Sequence, residues 1–195
     1  MTELTVKAFA PPEVNEREIL RYAKAREDDI KTLELLRECL EEALPKLTYK
    51  TVYTALDVKI EGDTADIGGI IIRSAALSKR LSGTRRAILV TATVGLGIDR
   101  LTAKYSRTSP TKALIMQAIG AERVEALLDT LTDGLKEEYE KLRPRFSVGY
   151  ADAPIEAQRA ITERLDTART VGVFLSESLI MTPSKSVTAI IGIDV

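Results

Sequence analysis

The chain has 195 residues, with 28 Lys and Arg against 29 Asp and Glu and a formal net charge of −1. Its 45% hydrophobic and 29% charged residues are typical of a globular protein, and its length suits a single domain over residues 1–195. The balanced charge and the lack of a basic stripe with interleaved aromatic residues argue against nucleic-acid binding. No run of 18 consecutive apolar residues suggests a membrane span, so we expect a cytoplasmic protein.

Two residue types that often carry chemistry are scarce: the sequence has no histidine, and Cys39 is its only cysteine. Without histidine there is no His-based triad, no imidazole metal ligand and no imidazole acid or base. A single cysteine forms neither an intrachain disulfide nor a multi-thiolate zinc site, and we interpret it as a buried or partly buried helix residue. We therefore expect no histidine-based catalysis and no histidine or multi-thiolate metal site in this chain.

The first segment of the chain predicts an extended arm followed by two helices. Residues 1–14 include two adjacent prolines and few periodic apolar positions, which is typical of an extended arm or a short strand. Asn15, with Glu18 three positions later, has the pattern of an N-capped helix. A second helix is predicted from apolar positions at helical spacing. These positions are Ile30, Leu33, Leu35, Leu36, Leu40 and Leu44.

Strands are predicted next. Residues 47–60 are rich in β-branched and aromatic side chains, as expected for a strand. Residues 70–72 lead into a predicted helix over 74–81, and residues 86–93 have the continuous apolar character of a buried strand.

The turn Gly95-Leu96-Gly97 lies between that buried strand and a helix predicted from about Ile98. A Gly-x-Gly turn in this setting can cradle a phosphate. The third glycine, a Gly-Lys-Ser/Thr sequence and a repeated βαβ pattern are all missing. We therefore favour a tight strand-to-helix turn.

A long helix is predicted for residues 111–142, with Gly120 as a candidate break. Its apolar stripe consists of Val124, Leu127, Leu128, Leu131, Leu135 and Leu142. At about 100° per residue, Glu122 lies about 150° from the middle of this stripe and is predicted to face solvent. Glu125 lies about 90° from it, at the edge. There a carboxylate either leans into a groove or forms a surface ion pair.

The remaining elements indicate the fold class. Residues 152–168 predict a turn and a helix with Pro154 in its first turn, and residues 171–175 and 187–193 predict strands. Strands in mixed order with only short helical crossovers favour an α+β fold, in which helices pack against a largely antiparallel, twisted sheet.

The segment 143–154, Arg-Pro-Arg-Phe-Ser-Val-Gly-Tyr-Ala-Asp-Ala-Pro, indicates a binding loop. Arg145 offers a planar fork for a carboxylate. Gly149 permits a positive φ or the close approach of another molecule, and Tyr150 supplies a flat face with one hydroxyl. These groups suit a zwitterionic ligand with an aromatic ring. The alternative is a strand that enters a turn with an arginine at its rim.

The C-terminal segment makes the pattern more specific. The motifs Ser176-Glu177-Ser178, Met181-Thr182-Pro183 and Ser186-Val187-Thr188 follow the Arg-x-x-x-Gly-Tyr loop. Together they resemble the activation domain of cobalamin-dependent methionine synthase, with the best agreement over residues 84–195. In that family the domain binds S-adenosylmethionine and presents its methyl group to an oxidised corrinoid while an electron donor reduces it.

The resemblance implies a free-standing reactivation module that binds S-adenosylmethionine. Arg145 would bind the ligand's carboxylate, and the backbone around Ser147 and Gly149 would bind its adenine edge. Tyr150 would pack against the ligand or orient the loop. Glu125 is the nearest match to a glutamate of that family, and it would balance the charge of the ammonium or sulfonium.

The resemblance also implies partners. Cobalamin would be held only by a separate corrinoid-bearing methionine synthase that lacks this domain, and a flavodoxin- or ferredoxin-like donor would supply electrons. Residues 176–178 and the turn 183–185 are candidates for the rim that contacts this partner, although helix capping and a hairpin turn explain them equally well. Two other functions stay open: a non-catalytic docking subunit, and a reactivator of another corrinoid-dependent methyltransferase.

The sequence departs from the pattern it resembles at three places. Ile191 stands near a position that is commonly aromatic, and Val148 stands where proline is frequent. An acidic residue that contacts the ligand's amino group from the N-terminal region is not identifiable in the sequence.

Overall fold

A computed structural model describes residues 3–194 of the chain. The strands are β1 (Thr5–Phe9), β2 (Tyr49–Glu61), β3 (Thr64–Ile67), β4 (Ile70–Arg73), β5 (Arg86–Thr93), β6 (Lys141–Leu142), β7 (Phe174–Leu175), β8 (Met181–Thr182) and β9 (Ser186–Asp194). The α-helices are α1 (Glu16–Ala23), α2 (Ile30–Ala43), α3 (Ala75–Leu81), α4 (Gly97–Tyr105), α5 (Pro110–Glu138), α6 (Ala157–Arg164) and α7 (Thr167–Thr170). A 3₁₀ turn, Leu44–Lys46, follows α2.

Seven strands form one sheet in the order β4-β3-β2-β5-β9-β6, and β1 pairs with β2 in addition. The strand β2 is 13 residues long, so one of its edges pairs with β1 near its start and with β3 near its end. Its other edge pairs with β5, and β5 pairs with β9 from Arg86↔Ile193 to Thr93↔Ser186. All these pairings are antiparallel. The predicted α+β fold with a largely antiparallel sheet is confirmed.

Apolar side chains cover both faces of the central strands. Because side chains alternate along a strand, Ile88 and Val90 of β5 point to one face and Leu89 points to the other. The first face packs against α5, where Leu127 is fully buried, and the second packs against α3, where Leu77 is fully buried. Burial on both faces explains why the sequence of β5 is continuously apolar.

A third apolar cluster joins α1, α2 and α4 to the first half of α5. Cys39 of α2, Ile98 of α4 and Ile119 of α5 are buried in it together, so the expected burial of the single cysteine is confirmed. At the start of α1, the side-chain oxygen of Asn15 accepts the N–H of Glu18 at 3.2 Å, which is the predicted cap.

Three predictions about α5 are wrong. The helix is unbroken over 29 residues and ends at Glu138, short of the predicted residue 142. Gly120 is a contact point and not a break, because a Cβ there would lie 2.6 Å from Cγ of Lys185 and 2.9 Å from Cγ2 of Ile98. Glu122 is buried and does not face solvent, because the N-terminal segment covers this side of the helix.

The glycine turn before α4 is a packed connection, as predicted. A Cβ on Gly97 would collide with the carbonyl oxygen of Lys46, and one on Gly95 would collide with Oγ1 of Thr48. Both glycines are therefore explained by the close approach of the chain after α2.

The segment after the binding loop differs from its prediction. The single helix predicted for residues 152–168 consists of α6 and α7, separated at Asp166, which has a φ of +45°. Pro154 lies before α6 instead of in its first turn, and the strand predicted for residues 171–175 is shortened to β7. The strand predicted at residues 187–193 is β9.

Candidate functional site

The segment that carries Arg145 runs along the outer edge of β9. The N–H of Phe146 donates to the carbonyl oxygen of Ile190 at 2.9 Å, and the N–H of Ile190 donates back at 2.7 Å. The hydroxyl of Ser147 donates to the carbonyl oxygen of Thr188 at 2.8 Å. These bonds hold the segment as a continuation of the sheet beyond β6.

A tight turn at Gly149 follows. The N–H of Gly149 donates to the carbonyl oxygen of Ala153 at 3.0 Å, and the N–H of Ala153 donates to that of Tyr150 at 3.0 Å. Gly149 has a φ of +84°, a conformation that favours glycine. The turn leaves Tyr150 74% exposed.

Arg145 contacts two carboxylates of α5. Its Nη2 lies 3.1 Å from Oε2 of Glu125, and its Nη1 lies 2.7 Å from Oδ1 of Asp129. The Arg145 side chain is 25% exposed, so the guanidinium is partly shielded from water. The structure thus brings together Arg145 and Glu125, which are 20 positions apart in the sequence.

Arg145 and Glu125 line a cavity of about 510 Å³, which is within the usual size range of small-molecule sites. Four of the five residues predicted to bind ligand contribute to its lining: Glu125, Arg145, Ser147 and Tyr150. Gly149 does not line the cavity, although it shapes the turn that presents Tyr150. Other parts of the lining come from Leu128 of α5, Val187 and Ala189 of β9, and Ala76 and Arg80 of α3.

Asp152 ties the loop to α3, and sequence reasoning missed this role. Its carboxylate accepts hydrogen bonds from Oγ of Ser74 at 2.5 Å and from the N–H groups of Ala75 at 2.7 Å and Ala76 at 3.2 Å. The Ser74 hydroxyl and these two N–H groups hold the pKa of the Asp152 carboxyl below its usual value. Asp152 therefore fixes the distance between the Tyr150 turn and the α3 side of the cavity.

Glu125 also borders a second groove, of about 1100 Å³, between α5 and the segment 12–18, and Asp129 lines this second groove with it. Glu13, Glu16 and Glu18 line this groove as well. The structure therefore places acidic side chains of the N-terminal region near the helix that carries Glu125, which the sequence alone did not reveal.

The serine-rich segment after β7 is a hairpin loop. Oγ of Ser176 accepts the N–H of Ile180 at 3.0 Å and lies 2.9 Å from Oγ of Ser178, and β7 then pairs with β8. The N–H of Ser184 donates to Oδ1 of Asp99 at 3.0 Å, which links the next turn to α4. These local bonds agree with the hairpin-turn interpretation of the segment, and its proposed contact with a partner stays a prediction.

Two features are absent from the part of the chain that the structure describes. Residues 3–194 contain no group of three or more His, Cys, Asp or Glu side chains that could hold a metal ion. Within the same residues, none of the helices is both long enough and apolar enough to cross a membrane.

Comparison with known proteins gives a match at the level of structure. No protein-family profile and no curated protein matches the sequence. The crystal structure of the MetH reactivation domain bound to AdoHcy matches with a TM-score of 0.69, covering 98% of this chain and 78% of that chain. This chain has the fold of the MetH reactivation domain.

The two sequences are 14% identical, so the likeness concerns the fold. At the level of the fold, the resemblance inferred from the motifs is confirmed. AdoHcy is the ligand of that solved domain.

Proposed function

We propose that this chain binds S-adenosylmethionine and supports the reductive methylation of cob(II)alamin on a separate methionine synthase. The observation that carries the proposal is the convergence of Glu125, Arg145, Ser147 and Tyr150 on one cavity of ligand size. Arg145, Ser147 and Tyr150 belong to one sequence motif, and Glu125 was predicted from helical periodicity and the family resemblance. The fold shared with a domain that is solved with AdoHcy supports the same ligand class.

The charged groups of the cavity match those of an amino acid. Arg145 and Glu125 are paired at 3.1 Å, so a bound zwitterion can exchange partners with them. The ligand's carboxylate takes N–H groups of Arg145, and its ammonium takes the carboxylate of Glu125. The exchange keeps Arg145, Glu125 and both charges of the ligand paired, which lowers the cost of removing them from water, and the Asp129 side chain is 66% exposed and can be solvated.

The backbone of the loop offers a donor and an acceptor to an adenine ring. Phe146 directs both its N–H and its carbonyl oxygen toward β9, so the N–H of the next residue, Ser147, points away from that strand. Among the described residues, the N–H of Ser147 and the carbonyl oxygen of Gly149 have no hydrogen-bond partner. Tyr150, exposed beside them, is placed to pack against the ring.

The chain's own part in methyl transfer is positioning. It has no histidine, and the proposal assigns no acid, base or nucleophile to it. By fixing the amino-acid end of the ligand, the cavity orients the methyl group so that a bimolecular transfer becomes effectively unimolecular. A partner holds the corrinoid that accepts the methyl group, and a flavodoxin- or ferredoxin-like donor supplies the electron.

One observation favours a second function, the non-catalytic docking subunit. Arg145 already has two carboxylate partners, Glu125 and Asp129, and such a trio can be purely structural. In that case the chain keeps the fold, has no ligand and covers a corrinoid or methyltransferase protein.

The experiment is a reactivation assay with a methionine synthase that lacks its reactivation domain and starts as cob(II)alamin. With S-adenosylmethionine and an electron donor, adding this chain should restore homocysteine methylation, and the chain alone should show none. The variant Arg145→Ala tests the role of the proposed carboxylate anchor and should restore much less activity than the wild-type chain. Full restoration by folded Arg145→Ala, or no restoration by the wild-type chain, would contradict the proposal.

A further inference from the structure

The cavity contains a second guanidinium whose surroundings differ from those of Arg145. Arg80 lies in the last turn of α3 and lines the cavity together with Arg145. Arg145 is engaged by the carboxylates of Glu125 and Asp129. Within residues 3–194, the Arg80 side chain has neither an ion-pair partner nor a hydrogen-bond partner. It is therefore the cation of the cavity that is free to take an anion.

The backbone of Arg80 is fixed, whereas its side chain is not. Its carbonyl oxygen accepts a hydrogen bond from Nη1 of Arg143 at 2.7 Å, and Asp152 and Ser74 cap the other end of the helix. The helix α3 packs on one face of the sheet and α5 packs on the other. Arg80 and Arg145 thus approach the cavity from different elements, which meet at the edge of β9.

We propose that Arg80 is a second anchor for the carboxylate of the ligand's amino-acid moiety. This inference rests on the proposed function, since it concerns the same cavity. A carboxylate has two oxygens with about four acceptor sites, so it can bind two guanidinium groups at once. With Arg80 as a partner, the carboxylate does not need to displace both Glu125 and Asp129 from Arg145. The site then selects adenosyl compounds that keep an amino-acid carboxylate.

The test compares two ligands that differ only in this carboxylate: S-adenosylmethionine and decarboxylated S-adenosylmethionine. Both are titrated calorimetrically into the wild-type chain and into Arg80→Ala, Arg80→Lys and Lys79→Ala. Lys79→Ala is the matched control, because Lys79 is an exposed cation of the same helix that does not line the cavity. Thermal unfolding confirms that each variant is folded.

Arg80→Ala is expected to weaken S-adenosylmethionine binding by about tenfold to a hundredfold, as for other charge-assisted hydrogen bonds, and to leave binding of the decarboxylated ligand unchanged. Arg80→Lys should recover part of the loss, and Lys79→Ala should bind both ligands like the wild type. Equal losses for both ligands, or no loss for either, would overturn the assignment of Arg80 and leave the proposed function intact. Failure of the wild-type chain to bind S-adenosylmethionine would overturn both.

Discussion

At the scale of single residues, Gly149 shows how the loop depends on its backbone. Its φ of +84° lies in the left-handed region, where a side chain is strained. A Cβ there would also lie 2.8 Å from Cδ1 of Ile155. Both effects act on the turn that presents Tyr150 to the cavity.

We predict that Gly149→Ala lowers the free energy of unfolding by about 1–2 kcal/mol and weakens ligand binding, because the turn must shift. The double variant Gly149→Ala/Ile155→Ala removes the contact and leaves the φ penalty, so it should recover only part of the loss. Gly134→Ala is the control: its Cβ would meet no atom within 4 Å, and because Gly134 lies inside α5, about one turn before its C-terminal end, the substitution should stabilise by about 0.5–1 kcal/mol. Chemical denaturation measures the stability of the three variants, and calorimetric titration measures their ligand binding. A Gly149→Ala protein as stable as the wild type would show that the turn is not constrained as described.

The candidate site was predictable where the signal was local. Arg145, Ser147, Gly149 and Tyr150 share one short motif, and Glu125 follows from its position at the edge of an apolar stripe. Asp129 lies one turn after Glu125 on the same helix, so the same periodicity could have found it. Arg80 gave no such signal. Asp152 gave none either, because its partner Ser74 is 78 positions away and only the tertiary fold brings them together.

At the scale of elements, α5 is held by a buried ion pair between neighbouring residues. Arg123 is fully buried, and its Nε donates to Oε2 of Glu122 at 2.5 Å. It also donates to the carbonyl oxygens of Pro12 at 2.7 Å and Glu13 at 2.6 Å, and Glu122 accepts the N–H of Asn15 at 3.0 Å. The pair thus fastens the N-terminal segment to α5.

Removing one partner of this pair should be costly. We predict that Arg123→Ala lowers the free energy of unfolding by about 3–5 kcal/mol, because it leaves the Glu122 carboxylate buried without its counter-ion. The double variant Glu122→Gln/Arg123→Met removes both charges and should be less destabilised than the two single substitutions together. Urea denaturation of the wild type, Arg123→Ala, the single variants Glu122→Gln and Arg123→Met, and the double variant measures these differences. A loss below about 1 kcal/mol in Arg123→Ala would mean that the pair behaves like an exposed one.

The burial of Glu122 also explains why periodicity failed there. A single apolar stripe describes a helix that packs on one side, as the second half of α5 packs on the sheet. The first half contacts α1, α2 and α4, so several of its sides are covered. Polar residues on those sides are paired with backbone groups instead of water, and a single sequence carries no sign of this.

At the scale of the whole molecule, the sequence was sufficient for the fold class. The long apolar run of β5, the capped helices and the order of strands with short helical crossovers led to the observed antiparallel sheet with packed helices. The strand order was not predictable, because β9 joins β5 across about 100 positions, and β1 and β3 share one edge of β2. The cavity forms where α3, α5, β9 and the loop after β6 meet, so its position depends on that order.

Calorimetric titration of S-adenosylmethionine into the wild-type chain and Arg145→Ala shows whether this cavity binds the ligand through Arg145. The wild type should bind the ligand. Arg145→Ala, folded by circular dichroism, should bind it with about 1.5–3 kcal/mol less free energy, a loss of about tenfold to a hundredfold, and Arg145→Lys should recover only part because the bidentate fork is gone. No binding by the folded wild-type chain, or equal affinity in folded Arg145→Ala, would rule out this mode of ligand binding.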